Sequence, residues 1–204
     1  MDTKTHWEQI YQSKPTTEVS WYQARPDLSL YLIQHTGIDK ASRIIDVGGG
    51  ASTLVDHLLA GGFQNITVLD ISGAALHQAQ ERLGPRAENI AWIEADITQA
   101  ALPSNTYDLW HDRAVLHFLI DAESRRRYMA ALHDAVKTDG HVILATFALD
   151  GPPRCSGLEV MRYSPEGLLG ELGAGFDLVQ STQATHQTPS GGEQKFIYYW
   201  FHRR

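Results

Sequence analysis

Cysteine is almost absent: Cys155 is the only one in 204 residues. A single thiol excludes an internal disulfide and a multi-cysteine zinc site, a usage that suits a reducing interior. Positive charge is scarce too. The 17 Lys and Arg stand against 24 Asp and Glu, for a formal net charge of −7, which argues against a broad electrostatic footprint for nucleic acid. The basic run Arg125, Arg126, Arg127 reads as a solvated helix face. Long apolar runs are missing: VILATFAL falls far short of a membrane span, and the opening MDTKTHWEQI has no apolar core of signal-peptide length. The expectation is a soluble, cytoplasmic protein with neither a membrane nor a nucleic-acid partner. The 10 His include no HExxH arrangement and no neighbouring cysteine cluster, so no metal is expected.

What is present is a core. Hydrophobic residues make up 43% of a chain long enough for one domain and short for two. One domain over 1–204 is expected, with 1–40 as a helical cover and 41–204 as the core. From Arg43 to about Thr146, short β-branched or apolar runs alternate with helical patterns, as in βα units around a parallel sheet. RIIDV (Arg43 to Val47), NITVLD (Asn65 to Asp70), NIAWIEAD (ending near Asp96), YDLWHD (Tyr107 to Asp112) and GHVILATFA read as strands one to five. Helices are expected at Leu54 to Leu59 with Ser52 as cap, at Ala74 to Leu83, at Ala122 to Lys137 with a stop near Gly140, and at Ser164 to Leu172. FDLVQST and EQKFIYYWFHR, separated by the polar stretch His186 to Glu193, form a C-terminal antiparallel hairpin. The fold class is therefore α/β: a Rossmann-like, mostly parallel sheet of seven strands with helices on both faces. Ahead of it, HWEQIY and DLSLYLIQHT read as helices joined by an aromatic-bearing loop.

The stretch DVGGGAST, Asp46 to Thr53, turns from the first strand into the first helix of the core. In an open α/β sheet the ligand lies beyond the carboxyl ends of the strands, and glycines let backbone approach it. Gly48 and Gly50 hold that turn, and Asp70, ending the second strand, offers paired acceptors to the two hydroxyls of a ribose. An adenosine-type ligand is implied. A dinucleotide fingerprint would need glycine where Thr53 stands, and no lysine follows the turn as a phosphate-cradling loop requires. The pattern D-x-G-x-G-x-[GS] is met by Asp46, Gly48, Gly50 and Ser52, which favours S-adenosylmethionine over a dinucleotide.

At these motifs the chain resembles the class I S-adenosylmethionine-dependent methyltransferases, from about His6 to the end. The resemblance implies that Asp70 binds the ribose hydroxyls and Ile71 packs on the adenine. It also implies that Asp96 receives the adenine amino group while Ile97 donates its backbone N–H. Taken singly, Asp70 and Asp96 are equally readable as turn caps. HWEQIY followed by EVSWYQ is similar to the opening of the elongation-factor and citrate-synthase lysine methyltransferases. That implies Trp7, Tyr11 and Tyr22 over the methionine end of the cofactor, with Trp21 alongside. An aromatic face attracts a sulfonium, although the same residues could simply staple the first helix to the sheet. Arg113 matches a cofactor-contacting basic position of that subgroup.

YDLWHDRAVLHFL lies where such enzymes place the acceptor, making His111, Asp112 and His117 candidate substrate contacts, with packing an equal alternative for His117. Cys155, Arg162 and Tyr163 could line the acceptor side from the loop after strand five, Cys155 being readable equally as an inert buried thiol. The nucleobase-amine motif [DNS]-P-P-[YFW] is replaced by HDRA. No general base is assigned. The expected activity is methyl transfer from S-adenosylmethionine, yielding S-adenosylhomocysteine, to a small-molecule acceptor. The alternatives are a protein lysine and, further off, an NAD-binding oxidoreductase or a non-catalytic cofactor-binding module.

Overall fold

The computed structural model describes residues 2–204. Helix α1 (Thr3–Ser13) starts at Asp2, whose carboxylate accepts from Thr5 N–H, and α2 (Asp27–His35) follows a short 3-10 turn. Five strands and three helices come next: β1 (Arg43–Val47), α3 (Leu54–Ala60), β2 (Asn65–Asp70), α4 (Gly73–Leu83), β3 (Ile90–Glu94), β4 (Tyr107–Arg113), α5 (Ala122–Ala135) and β5 (Val136–Phe147). A small ribbon of β6 (Arg154–Cys155) and β7 (Leu158–Glu159) precedes α6 (Pro165–Leu172) and the strands β8 (Phe176–Gln187) and β9 (Glu193–Arg203). The main sheet has the order β3-β2-β1-β4-β5-β9-β8. All pairings from β3 to β5 are parallel, and β9 is antiparallel to both β5 and β8.

Alternation along each strand sorts side chains into two cores. Ile44, Leu109 and Ile143 face a layer formed by α2, α3 and α4, where Leu30, Ile33, Leu54, Leu58 and Leu76 are buried. Ile45, Val47, Trp110 and Val142 face the opposite layer of α5 and α6, against Tyr128, Leu132, Leu168 and Leu172. The result is a three-layer α/β/α sandwich. Leu30, Leu32 and Ile33 make α2 one of the helices that cover the sheet.

Several boundaries depart from the sequence expectation, and β3 already ends at Glu94, two residues before Asp96. The α5 helix ends at Ala135, because β-branched Val136 turns extended and pairs with Tyr107. The stop expected near Gly140 is instead an irregularity inside β5, with Asp139 at φ 61°. Thr53 rather than Ser52 sits at the cap of α3, and the Ser52 hydroxyl accepts from Leu54 N–H at 3.2 Å. Ser164 does cap α6, accepting from Gly167 N–H at 3.1 Å with Pro165 in the first turn. In the terminal hairpin β8 continues to Gln187, past the expected end of its strand.

Candidate active site

The strand order reverses between β1 and β4, so connections leave the sheet in opposite directions there and open a crevice beyond the strand ends. That crevice is a cleft of about 230 Å³. Its floor is the turn after β1, tied to the neighbouring strand by Gly48 N–H and Gly49 N–H, which both donate to Leu69 O. The three glycines are bare for steric reasons. Gly48, at φ 68°, would drive a Cβ into Val115. A Cβ on Gly49 would come within 2.6 Å of Asp46 Oδ2, and one on Gly50 within 2.6 Å of Asp70 Oδ2. The requirement for glycine at position 49 arises only once Asp46 and Val68 are packed behind it.

Asp70 ends β2 and lines the cleft, buried, with Oδ1 accepting from Ser72 N–H at 2.8 Å. Burial pushes its carboxyl up to about 7, against the lowering effect of the Ser72 hydrogen bond. Ile71, Asp96 and Ile97 line the same side. Asp96 orders its own turn: Oδ1 accepts from Thr98 N–H and Thr98 Oγ1, both at 2.8 Å.

The other end is aromatic. Trp7 packs edge-on to Trp21 (5.6 Å between ring centroids) and Phe118 (5.0 Å), and Trp21 Nε1 donates to the Tyr11 hydroxyl at 3.2 Å. Arg113, at the end of β4, is held from three sides. Its Nε donates to the Tyr198 hydroxyl and Nη1 to Trp21 O, each at 3.0 Å, and its guanidinium lies 4.7 Å from the centre of the Phe196 ring. Nη2 is buried with no partner. Cys155 and Phe196 complete this end, and burial pushes the Cys155 thiol up to about 11. Phe118 and Phe196 were missed in the sequence. The first belongs to a 3-10 turn, and the second lies on a strand far along the chain, with no local pattern to mark it.

The remaining sequence candidates lie elsewhere. Asp46 and Tyr22 line a smaller cavity behind the glycine turn, which Arg113, Gly48 and Trp21 border as well. Asp46 Oδ1 meets His111 Nδ1 at 2.7 Å, and His111 Nε2 meets the Ser29 hydroxyl at 2.9 Å, a buried bridge from β1 through β4 to α2. Asp112 is buried and fully engaged, accepting from Val115 N–H (2.7 Å), Leu116 N–H (3.0 Å) and the Tyr128 hydroxyl (2.6 Å). His117 is buried between Phe118 and Phe147 with neither ring nitrogen partnered, and burial pushes it down to about 3. None of these three lines the main cleft. In the loop after β5, Cys155 alone reaches it: Arg162 pins the loop through Leu149 O and Gly151 O, and Tyr163 is buried in the α5/α6 core. Among the described residues no three His, Cys, Asp or Glu side chains come together as a metal site, and no helix is long and apolar enough to cross a membrane.

Residues 44–140 match the family described as "Methyltransferase domain". The chain is 29% identical over 118 residues to the "eEF1A lysine and N-terminal methyltransferase" of Mus musculus, covering 58% of this chain and 17% of that protein. The chain thus spans about a sixth of the curated relatives it matches. Among solved structures it resembles a SAM-dependent methyltransferase from Anabaena variabilis (TM-score 0.77, 16% identity, 100% of this chain and 96% of that one). It also resembles the N-methyltransferase NodS from Bradyrhizobium japonicum in complex with S-adenosyl-L-homocysteine (TM-score 0.74, 17% identity, 99% of each chain). At that identity the likeness is one of fold.

Proposed function

We propose, from the match of residues 44–140 to the methyltransferase-domain family, that the chain is a class I, S-adenosylmethionine-dependent methyltransferase acting on a small-molecule acceptor. The observation that carries the cofactor reading is the turn of three glycines, without room for a Cβ, whose Gly48 lines one cleft together with the buried strand-end carboxylate of Asp70. When bound, S-adenosylmethionine supplies a methyl carbon already activated by a sulfonium, so the chain's residues bind, orient and exclude water. In this reading Asp70 accepts from the ribose hydroxyls, and Gly48 and Gly50 leave the backbone bare for close approach. Ile71 and Ile97 sandwich the adenine, and Asp96 with the Ile97 N–H reads its edge. Trp7 and Tyr11 roof the far end and face the sulfonium, and Tyr22 and Asp46 support the turn from behind. Arg113 neutralises a carboxylate at that end.

A dinucleotide fits less well. Thr53 fills the position where the third glycine would sit, and its hydroxyl is committed to Gln23 O at 2.9 Å. A protein lysine is the second reading, favoured by the name of the mouse relative and by the aromatic end of the cleft, which would also accept an ammonium stem. The two part on the acceptor. Incubation with S-adenosylmethionine and a panel of small thiols, amines and acids, beside elongation factor 1A, should release S-adenosylhomocysteine with a small molecule. Methylation of the protein alone would overturn the small-molecule reading.

A further inference from the structure

Helix α4 meets both the glycine turn and Asp70, and a single arginine near its end fastens the turn to it. Resting on the methyltransferase reading, we propose that Arg82, in the last turn of α4, is a positioning residue that holds the glycine turn in its binding conformation. Its guanidinium uses all three nitrogens. Nη1 donates to Ala51 O at 2.8 Å and Nη2 to Ser52 O at 2.7 Å, the two carbonyls that follow Gly50. Nε donates to both carboxylate oxygens of Asp56 at 3.2 Å, and Nη2 reaches Oδ2 at 2.8 Å. Asp56 lies in the first turn of α3, so one planar group joins α4, the turn and α3.

The geometry is unlike that of the surface pairs. Arg126, Arg127 and Arg154 meet their carboxylates in the open, where such contacts contribute little. The Arg82 side chain is only 30% exposed, and two of its hydrogen bonds end on backbone that belongs to neither β1 nor α3. A charged donor makes a stronger bond to a carbonyl than a neutral one does. Glycine has more backbone freedom to lose than any other residue, so a turn of three glycines is where binding would otherwise carry a large ordering cost. Arg82 fixes the exit of that turn before a ligand arrives, just as Leu69 O fixes its entry through the N–H groups of Gly48 and Gly49. The other reference point is Asp70. Ser72, which caps α4, donates its N–H to Asp70 Oδ1 and accepts from Ala75 N–H at 3.1 Å. Ala75 is buried with Ala51, and a Cβ on Gly50 would stand 3.2 Å from that of Ala75. One helix therefore sets the spacing between the glycine backbone and the carboxylate assigned to the ribose, and Arg82 clamps the turn against it. The role is indirect, since Arg82 lines neither the main cleft nor the smaller cavity.

The test compares the full chain with Arg82→Gln and Arg82→Lys. Each is titrated calorimetrically with S-adenosylhomocysteine well below its melting temperature, and amide exchange is followed in the unliganded proteins. Glutamine cannot span two carbonyls and a carboxylate. The Kd of Arg82→Gln should rise about tenfold, and the amides from Ala51 to Thr53 should exchange faster, with exchange in β1, β4 and β5 unchanged. Lysine keeps the charge without the planar fork, so the Kd of Arg82→Lys should lie between those of the parent and the glutamine variant. Arg127→Gln, which removes an exposed pair on α5, should bind as the parent does. An arginine that served stability alone would lower the melting temperature and leave the Kd of the folded protein within about twofold, and that result overturns the proposal. A raised Kd with turn exchange unaltered also overturns it. If Arg82→Gln melts too low to titrate, Arg82→Lys decides on the same two readouts. Failure of the parent chain to bind S-adenosylhomocysteine would overturn the cofactor reading beneath, whereas turn exchange, read without ligand, would still judge the clamp.

Discussion

Asp70 sits where solvation and recognition oppose one another. Burial raises its carboxyl to about 7, so in the free protein it is largely protonated below neutral pH, when it cannot offer two acceptors to a diol. Affinity for an adenosyl ligand is therefore expected to rise with pH through about 7 and then level off, which calorimetry across that range would read. The linked effect on folding has the opposite sign. A carboxyl raised above its unfolded value of about 3.9 binds more protons when folded, so its contribution to the unliganded stability falls as pH climbs from about 4 to 7. Replacing Asp70 by Ala should weaken cofactor binding roughly 100-fold, near 3 kcal/mol, for the two charged hydrogen bonds removed. Asp112 predicts the contrary pattern. Asp112→Ala strands two buried N–H groups and the Tyr128 hydroxyl and should cost about 3 kcal/mol in melting experiments, because its partners are all internal. Its sequence position, at a strand end beside a basic residue, looks the same as that of a substrate contact. What separates them is the N–H groups of Val115 and Leu116, and a one-dimensional pattern does not hold that information.

At the scale of elements, α1 lies over the cleft through Trp7 and Tyr11 and is fastened to α4. Glu8 accepts from Gly73 N–H at 2.6 Å, adding a carboxylate to the α4 N-terminus that Ser72 already caps, and Gln78 Nε2 donates to Tyr11 O at 2.5 Å. Removing this latch with Glu8→Ala should cost only about 1 kcal/mol of stability. The cofactor's dissociation rate should rise and amide exchange in α1 quicken, with exchange in the central strands unchanged. Equal acceleration throughout would mean that α1 is part of the core and not a cover. Periodicity located nearly every element, since the helices bury one stripe and β1, β2 and β5 carry β-branched runs. It misjudged the passage from α5 to β5, where the run Ala135, Val136, Lys137 suits a helix locally and the pairing with Tyr107 decides otherwise. The β6–β7 ribbon escaped notice as well. Its Ser156 and Gly157 both adopt positive φ, a tight turn that a run of Pro, Arg, Cys and Ser does not announce.

For the whole molecule, the position of the cleft follows from topology. Glycine turn, Asp70 and Arg113 come together only because β1 lies between β2 and β4, an order that local patterning does not encode, although the residues themselves were marked by the family resemblance. Chemistry-bearing residues at the strand ends were legible for the same reason, whereas Phe196, delivered by the antiparallel β9, was not. The Gly50→Ala change probes this arrangement. A Cβ there meets the Asp70 carboxylate at 2.6 Å in a backbone at φ 39°, so affinity should fall on the scale of the Asp70→Ala loss while the sheet stays folded. The account turns on an adenosyl cofactor in this cleft, and calorimetric titration of the chain and of Asp70→Ala with S-adenosylmethionine, S-adenosylhomocysteine and NAD tests it directly. Saturable binding of both adenosyl ligands to the parent chain, lost in the variant and absent for NAD, is the predicted result. Binding of NAD without either adenosyl ligand would contradict it.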